Sequence, residues 1–279
     1  MDEITISANS LNTYLLCPRK YYWQKIVRIE LREQEEAFAL QFGKVIHNAL
    51  QGNKLAVCPE WTQEQKILAE TMIAGYSHYY ETKEVEKEIN IPLESTRLVC
   101  YLDALVEIEG QLTILEYKTY ANFSYAEVLR SWQARIYAYA YWQKHGDNLP
   151  VKIQILIRPS KIRRKTGRKT KPDETHDEYR QQLTEFYTNK NLAYPCVDCQ
   201  YTLDDLLHTE NNLWHFASLV NSRYNENLAR WLQNPAACMQ YGRSCQYNML
   251  CIENHANIQN LIDNYYQCRK GRKKYQQVF

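Results

Sequence analysis

The stretch LVCYLDALVEIEGQLTILEYK, Leu98–Lys118, decides the architecture of this chain. Its first half, LVCYLDALVEI, is rich in β-branched and aromatic residues; Glu109-Gly110 marks a turn, and QLTILEYKT begins a second run. That pattern predicts a β-hairpin. Side chains alternate along a strand, so Leu112, Ile114, Glu116 and Lys118 fall on one face of the second run, and Thr113, Leu115 and Tyr117 on the other. Asp103 stands midway along the apolar first strand. A carboxylate there is costly to bury unless it is paired, hydrogen-bonded or bound to a metal.

Two carboxylates on neighbouring strands, with one lysine beside them, can bind one or two hard cations through oxygen ligands and leave the ammonium to act on a phosphate or a water. A cross-strand ion pair between Asp103 and Lys118 on a half-solvated sheet is the alternative. The hairpin alone does not choose between them.

At 279 residues the chain is long enough to bury a substantial core, as one large domain or a core with an appended subdomain. Hydrophobic residues make up 45% and charged residues 24%, which excludes wholesale disorder. The 34 basic and 32 acidic side chains nearly cancel, so affinity for nucleic acid has to come from local patches rather than the net charge of +2. The 23 tyrosines and 6 tryptophans can stack on unpaired bases, although their commoner role is core filling. No apolar run approaches a membrane span, and MDEITISANS lacks the basic and apolar regions of a secretory leader. The expectation is a cytoplasmic protein without membrane contact. Nine cysteines in a reducing compartment favour metal or cluster ligation over a disulfide framework.

Along the chain, Ser7, Asn9 and Ser10 are possible caps for a first helix with Leu11, Tyr14 and Leu15 on one side, and Cys17 and Pro18 separate it from the run Arg19–Trp23. Glu30–Glu36 reads as a solvated acidic stretch or a turn. A helix is expected from near Gly43, carrying His47; a single histidine there is more often structural than a ligand, while Gly43 allows close approach of a backbone or phosphate. Further expectations are a helix over Thr62–Tyr80, an edge strand over Val85–Leu93, and one long helix capped by Ser124 and stopped by Gly146. Its apolar face would include Tyr125, Val128, Leu129, Trp132, Ile136 and Tyr139, with Gln133 and Tyr137 stacked beside it. Val151–Ile157 gives another strand, completing a β-β-α-β order and a mixed α/β sheet flanked by helices.

Seven of the eleven residues in Lys161–Lys171 are basic, which suits a solvated loop or a phosphate contact. Cys196 and Cys199 form a weak C-x2-C signal, and Thr202–Leu232 reads as one or two amphipathic helices. Cys238, Cys245 and Cys251 are spaced C-x6-C-x5-C, near Asn234-Pro235 and Gly242, so that three thiols can wrap one centre that needs a fourth ligand. The tail is a short helix followed by a basic cluster.

Taken together, the pieces resemble the PD-(D/E)XK nuclease superfamily, in the RecB-like branch that carries an iron–sulfur cluster and includes CRISPR adaptation exonucleases and phage relatives. The motifs that carry the resemblance are C-P-R-K-Y-Y at Cys17, G-x3-H at Gly43 and His47, the strand aspartate Asp103, E-x-K at Glu116 and Lys118, Q-x3-Y at Gln133 and Tyr137, and the C-terminal cysteine triplet. Cys100 stands where the family usually has glycine, and Cys196 and Cys199 have no counterpart.

The resemblance implies a restriction-endonuclease-like mixed sheet flanked by helices over 31–231, with a helical insertion. Segments 1–30 and 232–279 would form an iron–sulfur subdomain. It implies catalytic Asp103, Glu116 and Lys118, and Mg2+ or Mn2+ held by His47, Asp103, Glu116 and the Tyr117 carbonyl. It implies DNA contacts from Gln133 and Tyr137, and a [4Fe-4S] cluster on Cys17, Cys238, Cys245 and Cys251. The activity implied is metal-dependent exonucleolytic hydrolysis of single-stranded DNA or DNA ends, in recombination, repair or CRISPR adaptation. A non-catalytic DNA-binding partner of a recombination or adaptation complex is the alternative, and a zinc-stapled nucleic-acid-binding protein is a third.

Overall fold

The structure, a computed structural model, describes residues 4–32, 37–76, 80–93, 96–167, 172–224, 228–240, 243–253 and 255–268. Expectations for Glu33–Glu36, for 168–171 of the basic run, for Gly242 and for the basic tail lie outside these. In chain order the elements are β1 (Ile4–Ile6), α1 (Ala8–Leu16), α2 (Pro18–Tyr21), a π-helical turn (Tyr22–Val27), β2 (Ile29–Leu31), α3 (Phe38–Leu50), α4 (Gln63–Gly75), β3 (Glu81–Leu93), β4 (Thr96–Ile108), β5 (Gln111–Tyr120), α5 (Tyr125–Leu129), α6 (Trp132–His145) and β6 (Val151–Ile157). There follow α7 (His176–Thr188), α8 (Lys190–Ala193), β7 (Cys196–Cys199), α9 (Leu203–Arg223), β8 (Met239–Gln240), β9 (Arg243–Ser244), α10 (Asn248–Ile252), α11 (His255–Tyr265) and β10 (Tyr266–Cys268).

The chain divides into two compact units, one of residues 1–35, 90–99 and 208–279, the other of 36–89 and 100–207. The first takes in more than the two cysteine-bearing segments, since it also holds 90–99 and 208–231. Within it, β1 runs parallel to the first residues of β4, and β2 pairs antiparallel with β10, so Glu30 belongs to a strand rather than to a solvated turn. Ser7 caps α1 in a reciprocal box with Ser10. Leu15, expected on the apolar side, is exposed. The rings of Tyr14, Tyr21, Phe216 and Trp231 pack edge-on and stacked, joining α1 and α2 to the later chain.

In the second unit the hairpin is as expected. Glu109 and Gly110 both have positive φ, 53° and 80°, and Ile108 faces Gln111, the geometry of a two-residue I′ turn. The sheet order is β4-β5-β6-β7, with β3 also paired to β4. β5 and β6 are parallel, β4–β5 and β6–β7 antiparallel, which makes the sheet mixed. One face carries Ala104, Val106, Leu115, Tyr117 and Leu156 against Phe42 and Ile46 of α3, Met72 of α4 and Leu183 of α7. By the two-residue period, Leu105, Ile114 and Glu116 lie on the other face, toward α6.

Several boundaries differ from expectation, β3 among them, which begins at Glu81 rather than Val85. α3 begins at Phe38, because Phe38 and Phe42 stack with Trp61 and fix a first turn before Gly43. The helix capped by Thr62 ends at Gly75, where the phenol of Tyr194 and the side chain of Tyr187 leave no room for a Cβ. The single long helix is two: Ser131 is extended, with φ −63° and ψ 129°, and its Oγ accepts from the Gln133 amide at 3.3 Å to start α6 afresh. Ser124 makes no side-chain cap, whereas Gly146 ends α6 in the left-handed region as expected.

The turn offers a direct check. Gly110→Ala should destabilise the protein by about 1 kcal/mol, since alanine resists the left-handed region. Glu109→Asn should stabilise it by about 0.5 kcal/mol. Urea unfolding midpoints read both.

Candidate active site

The register pairs Leu105 with Ile114, so Asp103 and Glu116, each two residues further toward the open end, share a face. Among the described residues the β4–β5 ladder runs from Ile108↔Gln111 to Ala104↔Leu115. Beyond it the Tyr117 amide donates not to the β4 main chain but to Asp103 Oδ2, at 2.8 Å. The N–H and C=O of one strand residue point the same way, so the Tyr117 carbonyl also lies on the Asp103 side. The two strands therefore part at the two carboxylates.

Three helix positions close on that gap. On α3, His47 Nε2 lies 2.5 Å from Asp103 Oδ2. The helix can sit this close because Gly43 has no side chain: a Cβ there would be 3.2 Å from Thr119 Oγ1 on β5. On α6, Gln133 Nε2 donates to Glu116 Oε1 at 2.7 Å and to Tyr137 Oη at 2.6 Å. Lys118 Nζ is 2.5 Å from the same Glu116 oxygen. The lysine thus pairs along its own strand, and the cross-strand Asp103–Lys118 pair is not what forms. His47, Asp103, Glu116, Tyr117, Lys118, Gln133 and Tyr137 are all brought together.

Asp103 is 7% and Glu116 3% exposed, yet among the described residues Glu116 Oε2 has no hydrogen-bond partner. An orphaned buried carboxylate oxygen beside a second carboxylate costs several kcal/mol, far more than a surface ion pair returns. Burial raises the Glu116 carboxyl from 4.5 to about 8; the Lys118 ammonium opposes this and Asp103 adds to it. Burial presses Lys118 down, but the charges of Glu116 and Asp103 outweigh it and hold the ammonium above its ordinary value. Burial, then Glu116, push the Tyr137 phenol up. The donors are carboxylate and carbonyl oxygens with one imidazole nitrogen, a set that suits a hard divalent cation. As they stand, they are turned on one another. Among the described residues no three His, Cys, Asp or Glu side chains form a group arranged to hold a metal ion.

Two contributors carried no reading in the sequence. Ser131 starts α6 so that Gln133 reaches Glu116; its signal was a capping residue two positions before a functional glutamine. Tyr76, on the residue after α4, sets its ring edge-on to that of Tyr117, 6.2 Å between centroids, and burial raises its own pKa.

In the first unit Cys17, at the α1–α2 junction, lines one small cavity with Cys238, Cys245 and Cys251, beside Lys20 and Tyr247. All four are free thiols. Burial raises Cys238, and the neighbouring Cys245 and Cys17 raise it further. Cys251 is pushed up to about 11 by burial, opposed by Arg19 and reinforced by Cys17 and Cys245. Cys238 and Cys251 thus each lie within electrostatic reach of Cys17 and Cys245, though the four are not arranged as a metal-holding group. The Cys245 amide donates to the Cys238 carbonyl at 2.7 Å, and Asn234 Nδ2 to the Leu16 carbonyl at 2.8 Å, which holds the two ends of the chain at this cavity. Cys196 and Cys199 lie three apart on β7, so the strand period sends them to opposite faces and removes their claim to a shared centre.

The raised Glu116 carboxyl fixes a sign. The contribution of Glu116 to metal-free stability is fully present below pH 4.5 and is lost as pH rises through about 8. Glu116→Gln should therefore gain stability over the unsubstituted chain as pH rises across that window, read as a growing difference in Tm in chelator; a constant difference would contradict the buried-carboxyl geometry.

A sequence profile described as the PD-(D/E)XK nuclease superfamily matches residues 5–252. No curated protein matches the chain. Among solved structures, a crystal structure named "Putative exonuclease" from Eubacterium rectale superposes with a TM-score of 0.51 at 13% identity, covering 80% of this chain and 82% of that one. At that identity the likeness is one of fold, and the fold is the mixed sheet flanked by helices described above. With the profile spanning nearly the whole chain, this protein belongs to the PD-(D/E)XK nuclease superfamily.

Proposed function

We propose that the protein is a Mg2+- or Mn2+-dependent exonuclease that hydrolyses phosphodiester bonds of single-stranded DNA or DNA ends, in recombination, repair or CRISPR adaptation. The observation that carries this reading is the partnerless Glu116 oxygen buried beside Asp103 and Lys118 where β4 and β5 part. The name borne by the Eubacterium rectale neighbour agrees with attack at strand ends.

In this reading His47, Asp103, Glu116 and the Tyr117 carbonyl hold the cation. When bound, the cation supplies positive charge at the phosphate and lowers the pKa of water. Asp103 is aimed by the Tyr117 amide, and Glu116 by Gln133. Lys118, freed from Glu116, orients the attacking water and the scissile phosphate. Tyr137 holds Gln133 in place and contacts the strand. Cys17, Cys238, Cys245 and Cys251 hold a [4Fe-4S] cluster that joins the two ends of the chain.

End-labelled linear and circular DNA, single- and double-stranded, incubated with Mg2+ or Mn2+, tests the activity. Linear substrates should shorten from their ends and circles persist, while Glu116→Ala and Lys118→Ala each reduce cleavage by about a thousandfold or more and keep DNA binding. Full activity in either variant would overturn the assignment, and binding without cleavage by the unsubstituted chain would favour a non-catalytic partner. Anaerobically purified protein should absorb broadly near ~400 nm and lose the band in Cys245→Ala; a colourless protein carrying zinc would refute the cluster.

A further inference from the structure

Ala126 and Leu129 are three apart on α5, with Arg130 as its C-cap four residues after Ala126, and Trp132 and Arg135 are three apart on α6. Each set therefore lies on one face of its helix. Because Ser131 breaks the helix between them, the two faces meet at the corner as an open cavity of about 600 Å³ lined by these five residues. Two residues expected on the apolar face of one long helix are exposed: Tyr125 is 53% and Leu129 46% exposed.

The charge in this cavity is unbalanced. Arg135 faces Asp205 at 3.6 Å and lies over the Tyr201 ring. Arg130 is exposed and its guanidinium has no partner among the described residues. An indole lining the same cavity as two guanidiniums offers a base a stacking surface and a phosphate a cation, the pairing that single-stranded nucleic acid requires. The corner opens at the start of the helix that carries Gln133, the residue after Trp132.

We infer that this corner is a nucleotide subsite, in which Trp132 stacks a base of a single DNA strand and Arg130 holds its phosphate. The inference rests on the nuclease reading of the β4–β5 gap. The capped turn at Ser131 would then set two things at once, the direction of Gln133 and the site of the neighbouring nucleotide. Arg135 would act as a positioning residue, its charge shared between Asp205 and the strand.

The test is binding of a fluorescein-labelled oligo-dT to the whole chain carrying Glu116→Ala, in chelator, so that cleavage plays no part. Trp132→Ala and Arg130→Gln should each weaken binding by about tenfold. Trp132→Phe, which keeps a stacking ring, should restore most of it. Arg130→Gln should also flatten the dependence of log Kd on log salt by about 0.7, whereas Arg180→Gln, which removes a charge paired with Glu70, should leave both unchanged. Unaltered binding in Trp132→Ala and Arg130→Gln overturns the subsite. Equal losses in Trp132→Phe and Trp132→Ala overturn the stacking. If the chain without Glu116→Ala cleaves while these variants bind normally, the nuclease reading stands and the subsite alone fails; if it binds through the corner but never cleaves, the reverse holds.

Discussion

Everything at the candidate site depends on one unfavourable arrangement, two carboxylates held nearly out of water on adjacent strands. Burial alone would leave Glu116 protonated near neutrality. The surrounding structure offsets part of this with Lys118 and Gln133 on Glu116 and a main-chain amide on Asp103, yet among the described residues leaves one Glu116 oxygen bare. A fold that keeps such a group has a use for it, because an apolar pair of similar volume would pack at no electrostatic cost. The other face of the same strands shows the contrast: Ala104, Val106, Leu115 and Leu156 pack there in an apolar core without a carboxylate among them.

The secondary structure around the gap is arranged by small local choices. Gly43 lets α3 approach β5, bringing His47 to Asp103. Ser131 interrupts what helical periodicity would have continued, and the interruption both aims Gln133 and opens the corner beside Trp132. Neither glycine nor serine carries chemistry here. Each sets where a functional side chain can reach.

The first compact unit solves a different problem. Segments from opposite ends of the chain meet through the β2–β10 pair, the bond from Tyr247 to the Ile29 carbonyl and the bond from Arg19 to the Trp231 carbonyl. Four thiols collect where those segments cross. Tying residues so distant in sequence removes entropy from the unfolded chain, so any centre bound by those thiols would stabilise the unit through the same topology.

The sequence by itself determined the hairpin, its turn and the face shared by Glu116 and Lys118, because a two-residue period and a Glu-Gly turn are local properties of the chain. It also determined the order β-β-α-β and the Gln133–Tyr137 stripe, for the same reason. Tertiary structure decided the rest. Periodicity could not see the break at Ser131, since a cap competes with helix continuation only when neighbouring elements reward the bend; it could not say which partner Lys118 would choose, because both carboxylates lay within its reach. The approach of His47 to Asp103 and the gathering of Cys17 with Cys238, Cys245 and Cys251 needed contacts between residues far apart in the chain, and only packing brings those together.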